Sequence, residues 1–158
     1  MDFLILNRKE ISSFSHPSPY VVISITEPYD DHPKLPDDKN LVAALRIKFP
    51  DADMSFEWKG SVVSPMNENH ARRIISFIKD IVLNNTDRNI TTIVCQCDGG
   101  ISRSSAVAAA LCKIFCNSDA FVFDNPKYKP NMYVYRMILT EFFMNYNVES
   151  EVEPEGAP

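Results

Sequence analysis

The chain has 158 residues, 45% hydrophobic and 23% charged, with a net charge of −5. That is long enough for one domain with a core of its own and ordinary for a soluble globular protein. Four of the five net negative charges are matched by Glu149, Glu151, Glu153 and Glu155 at the end of the chain, so the body is close to neutral and offers no basic surface to nucleic acid.

The first residues, Met1-Asp2-Phe3-Leu4-Ile5-Leu6-Asn7, lack the basic start of a signal peptide, and no apolar run approaches a membrane span. The expectation is a cytoplasmic protein with no membrane partner, its four cysteines reduced. Residues 3–6 read as a first strand at a sheet edge, and residues 7–14 as a short helix or turn. Pro17 and Pro19 then break the chain. Residues 20–25 are almost all apolar and predict a second strand buried on both faces. Residues 27–40, with Pro28, Pro33 and Pro36, form a loop of functional or mobile length.

Residues 44–49 alternate apolar and polar, the period of a half-exposed strand. Phe49-Pro50-Asp51-Ala52-Asp53 follows. A helix starts near Asn67, capped by Asn67 or by Ser64 with Pro65 at the first helical position. Ile74, Ile75, Ile78, Ile81 and Val82 then share one face, and residues 84–87 end it. Residues 90–94 are β-branched and apolar, another buried strand. Arg103 to about Cys116 is a helix apolar on most sides, hence central. Residues 120–123 read as a further short strand, 126–130 as a turn, and Met132 to about residue 143 as the closing helix. Residues 148–158 form an acidic, disordered tail behind a single domain of residues 1–147. Strands alternating with helices give an α/β three-layer sandwich, with a mostly parallel sheet of four or five strands flanked by helices.

The chemistry concentrates between the strand at 90–94 and the helix at 103. The loop there holds a cysteine at its start, two glycines, and an arginine at its end. A strand–loop–helix of this kind turns backbone N–H groups and a helix N-terminus toward one point, which attracts anions. Thiols held at such points ionise more readily, and an arginine adds a planar bidentate donor for phosphate. A free cysteine is more often a small buried apolar group, but such a group needs neither a glycine pair after it nor an arginine six residues on.

Cys97-Asp98-Gly99-Gly100-Ile101-Ser102-Arg103-Ser104 resembles the C-x5-R-[S/T] signature of the cysteine-dependent protein tyrosine and dual-specificity phosphatases. Element order is similar to small bacterial or phage-type members over roughly residues 1–145. The resemblance implies a tyrosine-phosphatase-like fold and a phosphomonoester hydrolase. Cys97 would be the nucleophile and form a phosphocysteine. Asp98, Gly99, Gly100, Ile101, Ser102 and Arg103 would hold the phosphate, whose transition-state charge spreads over three oxygens. Ser104 would steady the leaving thiolate. Gln96 stands where many members carry histidine, and Asp98 places a negative charge inside the loop, which disfavours heavily phosphorylated ligands.

Phe49-Pro50-Asp51 resembles the W-P-D acid loop of tyrosine phosphatases, with Phe for Trp. It makes Asp51 the candidate general acid, with Asp53 as its rival. Pro-Asp is also ordinary turn chemistry. His70, Arg72 and Arg73 read as a solvated helix face, and Arg136 as a tie between the last helix and its neighbours. Cys95, Cys97, Cys112 and Cys116 suggest a zinc set only superficially. Arg103 to Cys112 spans about 13 Å of helix, whereas zinc requires every sulfur about 2.3 Å away. No metal or other cofactor is therefore expected. The partner expected is a phosphorylated protein or small phosphomonoester. Alternatives are a weak or inactive phosphate-binding module on the same fold, and a rhodanese-like sulfurtransferase, which also uses a cysteine in an anion-cradling loop.

Overall fold

Four parallel strands set the frame. The computed structural model describes residues 1–145; the expected acidic tail lies outside them. Strand β1 (Asp2–Leu6) is followed by the short helix α1 (Arg8–Ile11), then β2 (Tyr20–Thr26) and β3 (Leu41–Lys48). A small antiparallel hairpin, β4 (Phe56–Trp58) and β5 (Ser61–Val63), leads to helix α2 (Glu68–Phe77), which continues as a π-helical stretch, Ile78–Leu83. Strand β6 (Thr92–Gln96), helix α3 (Arg103–Cys116), the short α4 (Ala120–Phe123) and α5 (Met132–Asn145) complete the order. The main sheet runs β1-β6-β2-β3, every neighbouring pair parallel.

The fold is α/β with a parallel sheet, and the edge position of β1 follows its sequence. Strand β2 sits between β6 and β3 and is buried at all seven residues. Its alternate residues feed two cores. Val21, Ile23 and Ile25 join Ile93, Cys95 and Ile47 beneath α2, α3 and α5. Tyr20, Val22 and Val94 face the other way, onto Ile11, Phe14 and Leu35. That second layer is thin, made by α1 and the proline-rich segment rather than by long helices. Helix α3 is buried continuously from Arg103 to Leu111, as its apolar composition requires.

Two local features depart from the sequence expectation. Residues 120–123 are helical, not a strand. A short apolar run does not distinguish the two; here the Ser118 hydroxyl accepts from the Ala120 amide at 3.3 Å, and the single turn lays Phe121 on Phe3 with ring centroids 6.2 Å apart. The hairpin β4–β5 was not anticipated. Its turn uses Lys59 (φ 48°) and Gly60 (φ 80°), the consecutive positive φ values of a tight hairpin turn. Asn67, rather than Ser64, caps α2, accepting from the His70 amide at 3.0 Å.

Candidate functional site

All four parallel strands end on the same side of the sheet, and each hands the chain to a polar residue there. Arg8 follows β1, Glu27 follows β2, Phe49 to Asp51 follow β3, and Cys97 to Arg103 follow β6. The carboxyl edge of a parallel sheet is where ligands bind in such folds.

The loop is built on β1 as much as on β6. The Cys97 amide donates to Leu6 O at 3.3 Å and the Arg8 amide to Asp98 O at 3.2 Å. Gly100 has φ +64°, and a Cβ there would lie 2.9 Å from both Asn7 N and Leu6 C. Only glycine fits that bend. A Cβ at Gly99 would meet nothing within 4 Å, so the pair divides into one required glycine and one open position. Ser105 Oγ donates to Ile101 O and to Ser102 O, which ties the loop to the first turn of α3. The backbone hydrogen bonds of the described residues leave the amides from Asp98 to Ser102 without an acceptor, the arrangement an oxyanion would complete.

Cys97 is 2% exposed, with Sγ 3.0 Å from Ser104 Oγ. Arg103 is 4% exposed. Its Nη1 donates to Phe49 O at 3.0 Å, and its Nη2 lies 2.9 Å from Glu27 Oε1 and 3.7 Å from Asp98 Oδ2. Its Nε has no partner among the described residues, so the guanidinium is anchored at one end and unsatisfied at the other. Asp98 also lies 3.6 Å from Arg8 Nη1; its charge sits between two arginines. Burial raises the Glu27 carboxyl above its usual range, more than Arg103 lowers it. Burial likewise pushes the neighbouring Cys95 thiol up, which keeps it a neutral core group.

Asp51 reaches the loop. Its Oδ1 accepts from Ser102 Oγ at 2.9 Å and from Asn131 Nδ2 at 2.8 Å. Both aspartates line a groove of about 830 Å³ beside the loop, with Ser102, Asn131, Tyr133 and Arg136, but only Asp51 is hydrogen-bonded to the loop itself. Ile101 stands 41% exposed at the rim. Behind Cys97, Gln96 is fully buried and accepts from Ser24 Oγ at 2.5 Å.

Glu27, Asn131 and Arg8 were not singled out from sequence. The available signal for Glu27 was its position, a carboxylate directly after a wholly buried strand. Asn131 belongs to the turn before α5, whose first amides at Tyr133 and Val134 it also caps. Arg136 does not tie α5 to its neighbours; it is exposed on the groove, without an ion pair or hydrogen bond among the described residues. Arg72 is structural, donating from Nε to the buried Glu141 at 2.6 Å. No group of three or more His, Cys, Asp or Glu among the described residues could hold a metal ion. Cys95 and Cys97 are buried, Cys112 is half-buried and Cys116 is exposed.

Neither a family model nor a curated protein sequence matches the chain. Solved structures do. The human tyrosine phosphatase-like serine/threonine/tyrosine-interacting protein is similar at 18% identity and a TM-score of 0.54, over 82% of this chain and 80% of that one. Human DUSP28 is similar at 12% identity and 0.54, over 95% of each chain. A mouse protein assigned as a dual specificity phosphatase and complexed with zinc tungstate is similar at 16% identity and 0.51, over 82% of this chain and 74% of that one. The chain has the fold of the tyrosine and dual-specificity phosphatases, and at these identities the likeness is one of fold. Among the described residues no helix is long and apolar enough to cross a membrane.

Proposed function

We propose that the chain is a metal-independent, cysteine-dependent phosphomonoester hydrolase. The observation that carries this is the Cys97–Ser104 contact of 3.0 Å inside a loop closed by the buried Arg103, whose Nε is unpaired. In the first step the Cys97 thiolate attacks phosphorus. The S–P bond forms as the P–O bond to the leaving group breaks, and the leaving oxygen takes a proton from the Asp51 carboxyl. The loop amides and Arg103 meet the three phosphoryl oxygens. In the second step water attacks the phosphocysteine and gives its proton to Asp51. The S–P bond breaks, and Ser104 donates a hydrogen bond to the departing thiolate. Substrates would be phosphoproteins or small phosphomonoesters. Four free cysteines suit a reducing cytoplasm.

Gln96 favours a second reading, a phosphate-binding module with little turnover. It places a neutral amide, already engaged with Ser24, behind the nucleophile. The deciding experiment is hydrolysis of an aryl phosphate by wild type and Cys97→Ser, with a chelator present throughout. Turnover in wild type and none in Cys97→Ser supports the hydrolase; equal, residual rates in both leave only the binding module.

A further inference from the structure

A second cluster of unused polar groups lies on the face of the sheet covered by α1 and the proline-rich segment. In the parallel register Gln96 faces Ser24, Ser24 faces Arg46, and Thr26 faces Lys48. Strand alternation puts all five side chains on the face of Tyr20, Val22 and Val94, opposite the long helices. Thr26 and Gln96 are fully buried. Arg8 joins them from beyond β1, and its Nη2 donates to Asp31 O at 2.6 Å, which holds the segment carrying His32 over it.

Four buried polar atoms here lack a hydrogen-bond partner among the described residues: Arg8 Nη1, Thr26 Oγ1, His32 Nδ1 and Gln96 Nε2. Two are donors by nature and the other two can donate. The nearby acceptor, Asp98 Oδ1, forms an ion pair with Arg8 Nη1 at 3.6 Å but has no hydrogen-bond partner among the described residues. A buried donor left unpaired costs about 1–3 kcal/mol, so Arg8 Nη1 and Gln96 Nε2, which can only donate, favour an acceptor against them. The charges require more than a neutral one. Arg8, Arg46 and Lys48 bring three positive charges to this face, and Asp98, which pairs with Arg8, is shared with Arg103. The register and the Arg8–Asp31 hydrogen bond bring these cations to the segment that carries His32; burial, and after it the charges of Lys48, Arg46 and Arg8, hold the His32 imidazole below its usual range.

We propose that this face carries a second oxyanion subsite, beside the Cys97 loop and separate from it, which takes a phosphoryl group. Arg8, Thr26, His32 and Gln96 are its donors, and Arg46 and Lys48 stand at its mouth. The Arg8–Asp98 contact is the wall between the two sites. The subsite suits ligands bearing two phosphoryl groups, contrary to the expectation drawn from the Asp98 charge, which Arg8 and Arg103 offset; it stands whether or not Cys97 turns a substrate over.

The test is amide and side-chain NMR of the full chain titrated with inorganic phosphate. In Arg103→Ala, signals of Arg8 and the Gln96 side-chain amide should still shift saturably, while those of Gly99 and Gly100 no longer do. The double variant His32→Ala with Lys48→Gln should bind phosphate about tenfold more weakly at Arg8 and Gln96, a loss of roughly 1.4 kcal/mol, while the loop titrates as in wild type. Should Arg103→Ala fail to fold, wild type decides alone, because Gly100 and Gln96 must then follow two different isotherms. One shared isotherm, or no saturable shift at Arg8 and Gln96, overturns the subsite and leaves those donors to water. A monophosphorylated and a doubly phosphorylated peptide, titrated in the same way on Cys97→Ser, test the ligand class. Tighter binding of the second that vanishes in the His32/Lys48 double variant supports two phosphoryl groups on one ligand; equal binding overturns that assignment.

Discussion

Glu27 Oε1 meets Arg103 Nη2 at 2.9 Å, a nearly buried ion pair between residues 76 positions apart, one directly after β2 and the other at the start of α3, beyond the adjacent strand β6. The pair orients the guanidinium and favours an ionised Glu27, but burial opposes ionisation more strongly and leaves the carboxyl above its ordinary range. A carboxyl raised in the folded state contributes most below its ordinary value, and that contribution is lost as pH rises through the raised one. Glu27→Gln, which still accepts from Arg103, should therefore match wild type at about pH 4 and gain stability relative to it at about pH 7. Urea denaturation at the two pH values reads the difference. A variant that loses ground toward neutrality would show that the ion pair outweighs burial. Glu27→Ala leaves the guanidinium without its carboxylate and should cost about 3 kcal/mol.

Gly100 is held between the loop and the end of β1. Gly100→Ala should combine a left-handed backbone penalty with a 2.9 Å approach to Leu6 C and Asn7 N. We expect a loss of at least about 2 kcal/mol together with weakened oxyanion binding. Gly99→Ala meets open space and should stay within about 0.5 kcal/mol of wild type. Thermal unfolding of the two variants, side by side, checks this; similar losses at both positions would mean that the loop geometry differs from that described.

Ser104 sits 3.0 Å from the Cys97 sulfur, on the first turn of α3. In the proposed mechanism a hydroxyl there would assist departure of the thiolate more than its attack. Ser104→Ala should slow the second step by about 10- to 100-fold, consistent with loss of one hydrogen bond to a developing charge, and leave the first nearly intact. Rapid-quench kinetics should then show a burst of released alcohol and accumulated phosphocysteine. Absence of a burst, with both products falling together, would place Ser104 in a purely structural role.

The strand–loop–helix around Cys97 was legible because its parts are local: a β-branched run, two glycines and an arginine at fixed spacing. Strand β2 was legible because an unbroken apolar run has few other fates. Arg103's partners were not, since Glu27 and the Phe49 carbonyl reach it from other strands and the pairing of strands leaves no mark at those residues. The role of Asn131 was hidden for the same reason, 80 residues from Asp51. The hairpin escaped because Phe56–Trp58 and Ser61–Val63 are only three residues each, too short for a period of two to emerge. Residues 120–123 went the wrong way because four apolar residues suit a strand or one helical turn equally, and the Ser118 hydroxyl selected the turn.

The general acid is the sharpest remaining choice. Asp51 and Asp53 line the same groove, yet Ser102 and Asn131 hold only Asp51, both through Oδ1. An aryl phosphate with an acidic phenol hardly needs a proton, whereas a basic leaving group does. Asp51→Asn should slow poor leaving groups far more than good ones and flatten the basic limb of the pH–rate profile; Asp53→Asn should do neither. Asn131→Asp refines the test. It keeps an acceptor for the Tyr133 and Val134 amides, so α5 retains its cap, but it replaces the donor beside Asp51 with a carboxylate. A like charge there opposes loss of the Asp51 proton, and the basic limb should move to higher pH without the leaving-group dependence of Asp51→Asn. That displacement distinguishes a positioning residue from a mere helix cap, which would leave the profile where it was. Exchange of behaviour between the Asp51 and Asp53 variants would make Asp53 the acid and leave Asp51 as the brace between the loop and α5.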